Sequence, residues 1–257
     1  MDALIGHSGF VGGTLMKQTR FGSLYRSTNI HEIDGLEFDT VVCAGVPATK
    51  WLANKEPDVD RRGIDRLIAH LQTVKCRRFI LISTVDVFKY PVDVDEDSPI
   101  DEANLHPYGL HRRHLELFVA RTFRSHLIVR LPGVVGPGLR KNIVYDLLND
   151  NNLTAVDHRS VFQFYPMINL WPDLETAWAA GLNLVHLTAE PISVADVASL
   201  AFGRTFNNEV ANPPAVYNMC SRHGLSFGSP GPYLYGRREI VLALRAYAQS
   251  EPRQKAP

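Results

Sequence analysis

The stretch that decides the fold is Asp2-Ala3-Leu4-Ile5-Gly6-His7-Ser8-Gly9-Phe10-Val11-Gly12-Gly13. Its first four residues read as a strand, and Gly6, Gly9 and Gly12 follow at every third position, opening a helical pattern over 9–19. Glycines so spaced between a strand and a helix let backbone amides approach a pyrophosphate at the positive helix end. The same spacing also serves turns whose only task is a tight bend. On the dinucleotide reading, the contacts are Gly6, Ser8, Gly9, Phe10, Val11 and Gly12.

Outward from this turn, short apolar runs alternate with longer helical patterns, the organisation of a parallel sheet covered by helices. Strands are expected over 23–25, 40–44, 78–83 and 127–131, with helices over 59–74 and 108–121. Phe79-Ile80-Leu81-Ile82 is apolar throughout, as a strand covered on both faces should be. The link between the second and third strands is only about fifteen residues long and lacks a helical pattern, so its crossover helix is expected to be missing or reduced. Beyond residue 135 the pattern loosens into helices over 144–148, 171–181, 194–202 (capped by Ser193) and 238–248, and a strand over 183–187. The expected fold is α/β, a doubly wound Rossmann sheet. Residues 1–135 form the dinucleotide-binding domain, and 136–257 add to the sheet and build a small substrate lobe, with 212–236 as loop.

Composition narrows the function classes. The 257 residues carry 27 Lys plus Arg against 27 Asp plus Glu, so no net field draws the chain to nucleic acid or an anionic membrane. Cys43, Cys76 and Cys220 lie too far apart for paired zinc spacing and are odd in number, which predicts reduced thiols. No apolar run approaches the roughly 18 residues of a membrane span, and the N-terminus lacks the regions of a signal peptide. A cytoplasmic location is expected.

Two further pieces follow the glycines in order. The fourth strand ends in Ile82-Ser83-Thr84-Val85-Asp86, and the next helix opens with His106-Pro107-Tyr108-Gly109-Leu110-His111-Arg112. Then comes Val129-Arg130-Leu131-Pro132-Gly133-Val134-Val135-Gly136-Pro137-Gly138. This sequence resembles the extended branch of the short-chain dehydrogenases/reductases, which includes nucleotide-sugar epimerases, dehydratases and ketoreductases. The likeness is clear over about residues 2–142 and loose beyond them. It implies cofactor contacts at Ala44, Gly45, Val46, Ser83, Tyr108, Arg112, Leu131, Pro132 and Gly133 besides the glycine turn.

The chemistry of these residues stands beside the resemblance. A hydroxyl from Thr84 at a strand end can hold a carbonyl or alcohol, and Tyr108 at a helix start can exchange a proton with it. A tyrosine needs a neighbouring cation to work near neutral pH, and position 112 lies one turn away. The family usually has lysine there; this chain has Arg112, which keeps the charge but cannot occupy lysine's place without rearrangement. Thr84, Tyr108 and Arg112 are the expected catalytic set. Tyr233 and Arg237 repeat the spacing by chance, and only the position after the fourth strand favours Tyr108.

Other positions carry open alternatives. Asp60 stands where the family commonly has a structural asparagine, and is read as a solvated charge within Asp58-Val59-Asp60-Arg61-Arg62. Asp86 touches substrate or ends a turn. Arg140 and Asn142, around Lys141, contact a nucleotide-sugar diphosphate or flank a helix in water. His106, His111 and His114 are read as solvated helix histidines, with no metal site. Phe162, Phe164, Tyr165 and Trp171 are read as core beneath the second lobe. Arg26 and Ser27, near the end of the second strand, replace the acidic residue of an NAD site, so NADP is preferred over NAD. The stripe Leu110, His114, Leu117 and Phe118 suggests, by family analogy, a homodimer. Two functions follow: an NAD(P)-dependent oxidoreductase, epimerase or dehydratase acting on a sugar or nucleotide-sugar, or a catalytically weak dinucleotide-binding sensor or scaffold.

Overall fold

Each element forms where apolar spacing and end signals agree. In the computed structural model, which describes Met1 to Gln254, the chain begins with β1 (Ala3–Ile5), α1 (Phe10–Gln18), β2 (Ser23–Tyr25) and β3 (Glu37–Cys43). It continues through α2 (Lys50–Lys55), α3 (Pro57–Leu71), β4 (Lys75–Thr84), β5 (Val92–Val94), α4 (Pro107–Thr122) and β6 (His126–Leu131). Then come β7 (Gly133–Val135), α5 (Ile143–Asn149), β8 (Val161–Phe162), β9 (Phe164–Pro166), α6 (Leu170–Ala179) and β10 (Leu184–His186). The last elements are β11 (Ile192–Ser193), α7 (Val194–Phe202), β12 (Asn218–Met219) and α8 (Arg237–Ser250).

Six strands make the main sheet, in the order β10-β6-β4-β3-β1-β2. Neighbours β1 and β2, β1 and β3, and β3 and β4 run parallel. The chain leaves β1 for β2 on one side and returns to β3 on the other, so β1 and β3 flank a topological switch point, where doubly wound sheets bind ligands. Between β2 and β3 the crossover is reduced to a 3-10 turn, Ile30–Ile33. That segment lacks a helical apolar pattern, and its Ile30 and Ile33 are buried in the core.

Helices α3 and α4 cover the sheet near the switch. Pro57 opens α3 with Asp58 and Asp60 in its first turn, where carboxylates suit the helix dipole, and Ile64, Leu67, Ile68 and Leu71 are buried at helical spacing. Pro107 opens α4, and His106 caps it by accepting from the Gly109 amide at 3.0 Å. Leu115 and Val119 of α4 join Phe79, Leu81, Val41 and Ala3 in one core, where Phe79 stacks on Phe123 at 4.1 Å.

The residues form two compact units. The first comprises Met1–Lys89, Ser98–Arg130 and Leu170–Val185, and holds nearly all of the main sheet. The second comprises Tyr90–Asp97, Leu131–Asn169 and the chain from His186 onward. It contains three two-stranded sheets, β11 with β8, β12 with β5, and β7 with β9. Gln163 ties it together by donating to the Ala189 and Met219 carbonyls and accepting from the Met219 amide. Ser193 caps α7 as expected, accepting from Asp196 at 3.0 Å. Phe164 and Tyr165 are core of this unit. Trp171 is not: it packs edge-on against Phe21 in the first unit, because α6 lies against α1. The stripe on α4 is half-buried, and Phe118 turns inward onto Phe123. Among the described residues no helix is long and apolar enough to cross a membrane.

Candidate active site

The glycine turn sits at the switch point, and its glycines have different tasks. Gly6 ends β1 at φ +90°, and a Cβ there would lie 2.5 Å from the Ala44 carbonyl oxygen at the end of β3. A Cβ on Gly12 would lie 2.1 Å from the Gly6 carbonyl oxygen, so glycine is what lets α1 press onto β1. Gly9 is exposed, and a Cβ there would meet only the Gly6 oxygen, at 3.5 Å. Without a side-chain cap at Gly9, the first-turn amides of α1 are donors suited to a phosphate. A tight turn, an open approach and a close helix contact are the three glycine roles of a dinucleotide fingerprint, so these residues fit a pyrophosphate.

The rim of this turn is built from the ends of β2 and β3. Ala44, Gly45 and Val46 follow β3, and a Cβ on Gly45 would press on Ile5 at 2.8 Å. Arg26 and Ser27 follow β2 and are exposed; the Asn29 side chain accepts from the Arg26 amide at 2.8 Å, and Arg26 Nε donates to Thr28 at 3.0 Å. The residues that follow β2, Arg26, Ser27, Thr28 and Asn29, include no acidic side chain.

Thr84 ends β4, and Tyr108 lies in the first turn of α4. Thr84 comes near enough to the Tyr108 phenol to draw its pKa down. Two backbone details set this meeting. Asn54 of α2 accepts from the Tyr108 amide at 3.0 Å, and a Cβ on Gly109 would fall 2.1 Å from the Asp86 carbonyl oxygen, so glycine alone admits the helix this close to the strand end. Thr84 also accepts from the Asp86 amide at 3.2 Å. Asp86 pairs with Lys50 at 2.6 Å. Burial pushes the Tyr108 phenol above its ordinary pKa, and the charge of Arg112 pulls against that. Burial, followed by the charge of Lys50, holds His106 below the usual imidazole value.

Arg112 is oriented away from the role the resemblance implies. Its guanidinium grips Asp60 with two hydrogen bonds, 2.5 and 2.9 Å, and donates to the Pro47 carbonyl at 2.5 Å. It lies over the Tyr108 ring, 3.9 Å from the ring centre. Asp60 is therefore no solvated charge: its side chain is 8% exposed, and His111 Nδ1 lies 2.7 Å from the same carboxylate. Burial pushes the Asp60 carboxyl up, but the hydrogen bonds of Arg112 and His111 outweigh it and hold it below the usual carboxylate range. His111, read as solvated, is buried by this contact, and His106 is half-buried and caps α4. The two departures from the family pattern, Asp60 and Arg112, are thus one feature: a buried ion pair between α3 and α4.

Ser83 is tied elsewhere. Its hydroxyl donates to Glu116 at 2.6 Å, and the fully buried Glu116 also accepts from Arg130 at 2.7 and 2.9 Å and from Arg113 at 3.1 Å. This network fixes α4 against the end of β4.

The remaining expected residues lie in the second unit. Leu131 and Pro132 are buried, and a Cβ on Gly133 would meet the Gln163 carbonyl at 2.6 Å. Arg140 is exposed. Asn142 caps α5, accepting from Val144 and donating to the Val134 carbonyl, both at 2.9 Å. Tyr233 donates to Asn218 at 2.7 Å while Arg237 pairs with Asp196 at 2.9 Å, so that second tyrosine-arginine spacing builds no acid-base pair.

No protein-family model matches the sequence, and no curated protein resembles it in sequence. Solved structures do resemble it in fold. A UDP-galactose 4-epimerase superposes with a TM-score of 0.70 at 17% identity, covering 97% of this chain and 98% of its own. A NAD-dependent NDP-hexosamine 5,6-dehydratase of tunicamycin biosynthesis gives 0.73 at 18% identity, with 98% of each chain covered. A dTDP-4-dehydrorhamnose reductase from Yersinia enterocolitica gives 0.69 at 16% identity, covering 96% of this chain and 98% of its own. The chain has the fold of the extended short-chain dehydrogenases/reductases. At these identities the likeness is one of fold, and the chemistry must be argued from the side chains.

Sequence reasoning missed Lys50, Asn54 and the partner of Arg112. Lys50 and Asn54 are four residues apart on the short α2, a spacing visible in Lys50-Trp51-Leu52-Ala53-Asn54, but no apolar periodicity marked that segment as a helix. Nothing local announces the Asp60 pairing, which joins residues 52 apart.

Proposed function

We propose that this chain is an NADP-preferring oxidoreductase or epimerase that acts on a sugar or nucleotide-sugar, with Thr84 and Tyr108 at its reacting centre. The observation that carries the reading is the meeting of Thr84, at the end of β4, with Tyr108, in the first turn of α4, in the same unit as a glycine turn suited to a pyrophosphate. When bound, a nicotinamide dinucleotide gives or takes a hydride at a sugar carbon. Thr84 donates a hydrogen bond to the oxygen on that carbon and orients it. Tyr108 gives its phenolic proton to that oxygen in reduction and recovers it in oxidation. Burial, which raises its pKa, holds the phenol in the form that carries the proton. Gly6, Gly9 and Gly12 receive the pyrophosphate, and Arg26 and Ser27 receive a ribose 2′-phosphate.

A second reading rests on Arg112. Its guanidinium is committed to Asp60 and Pro47, which leaves the place of the family's ribose-binding lysine without an equivalent and fits a dinucleotide-binding sensor or scaffold. Incubation with NADPH, NADH and a panel of nucleotide ketosugars separates the two. Oxidation of the reduced nucleotide above background supports the enzyme; tight binding with no oxidation across the panel supports the sensor.

A further inference from the structure

A second cation, Lys50, stands on the helix that meets the start of α4. Lys50 opens α2 and Asn54 follows one turn later, so both project from one face of that helix. Asn54 fixes that face on the start of α4, through the Tyr108 amide at 3.0 Å. Lys50 Nζ lies 2.6 Å from Asp86 Oδ1. Asp86 in turn is fixed on α4 by the closeness of its carbonyl to Gly109, 2.1 Å from where a Cβ would stand. Three elements, α2, the end of β4 and α4, therefore hold Lys50, Asp86 and Tyr108 together.

The charged groups around Tyr108 are Lys50 on α2, Asp86 after β4, and His106 and Arg112 flanking it on its own helix, with Asp60 of α3 and His111 behind Arg112. They divide by freedom to respond. The Arg112 and Asp60 side chains are 5% and 8% exposed and locked by paired hydrogen bonds, a fixed background. The Lys50 and Asp86 side chains are 38% and 16% exposed and joined by a contact that solvent or substrate can reach.

We propose that Lys50 is the positioning residue for Tyr108, screening the phenol from the carboxylate of Asp86. This rests on the reading of Tyr108 as the proton donor. The electrostatics have the required signs: after burial, which raises the phenol, and Arg112, which lowers it, Asp86 raises it, Thr84 lowers it and Lys50, the smallest of the five, lowers it. Without Lys50, the Asp86 carboxylate loses the cation that lies 2.6 Å from it.

The test is a pH titration of the full chain labelled with 3-fluorotyrosine, which lowers every phenol's pKa, followed by fluorine NMR with Tyr108→Phe assigning the signal. Lys50→Met is expected to move the Tyr108 midpoint up by about half a pH unit or more. Asp86→Asn moves it down, the double variant returns it towards the wild-type value, and Lys50→Arg leaves it in place. An unchanged midpoint in Lys50→Met overturns the proposal, and so does an equal shift in Lys50→Arg, which would make the effect one of packing. Failure of the parent reading looks different: the midpoints move as described, but no ketosugar is turned over.

Discussion

Replacing Asp60 with asparagine tests the buried ion pair that joins α3 to α4. Arg112 donates to Asp60 at 2.5 and 2.9 Å, His111 lies 2.7 Å away, and neither the arginine nor the carboxylate side chain is more than 8% exposed. Removing one partner of such a pair leaves the other charge buried and costs about 3–5 kcal/mol. An asparagine keeps one acceptor, and Arg112 keeps the Pro47 carbonyl, so the low end applies, about 3 kcal/mol. For a chain of this size that lowers the melting midpoint by about 6–12 °C at neutral pH. The pH dependence has a defined sign. The folded-state pKa of Asp60 is depressed, so its contribution is fully present above the unfolded carboxylate pKa of about 4 and is lost as pH falls through the folded value. Thermal scans by circular dichroism from pH 7 to pH 3 should show a steady gap between wild type and Asp60→Asn down to about pH 4, then a narrowing one. Equal midpoints at pH 7 would refute the claim that this pair is closed and buried.

Two more outcomes follow from the same geometry. Glu116→Gln leaves Arg130, 2% exposed, without its counter-charge, and should cost about 3–5 kcal/mol in urea unfolding. A change below about 1 kcal/mol, the range of exposed pairs, would show that the network is solvated. Arg26→Ala should weaken NADPH binding about tenfold, the worth of one charge-assisted hydrogen bond, and leave NADH binding unchanged. Equal NADPH affinity in both proteins removes the proposed 2′-phosphate contact.

What the sequence made legible is what backbone sterics and local order dictate. Gly6 and Gly12 are required by contacts of 2.5 and 2.1 Å that any Cβ would violate, so their spacing reports the turn directly. Thr84 and Tyr108 end a strand and start a helix, positions that strand periodicity and the Pro107 signal locate without tertiary knowledge. The reduced crossover before β3 was visible because that short segment carries no helical apolar pattern. Asp60 was misread for the opposite reason: among Asp58, Arg61 and Arg62 it has the composition of a solvated turn, and only the approach of α4 makes it a buried counter-ion. His111 was misread with it. Trp171 was assigned to the wrong unit because the return of α6 to the main sheet is a matter of topology, and an aromatic residue carries no address.

The central claim is that Tyr108 delivers the proton in a nicotinamide-dependent reaction on a sugar carbon. Its most direct test is the rate of NADPH oxidation by a nucleotide ketosugar in wild type and Tyr108→Phe, measured alongside NADPH affinity. A loss of about a hundredfold or more in rate with affinity unchanged is expected, since the phenol oxygen is the one group removed. A variant that turns over at the wild-type rate would contradict it.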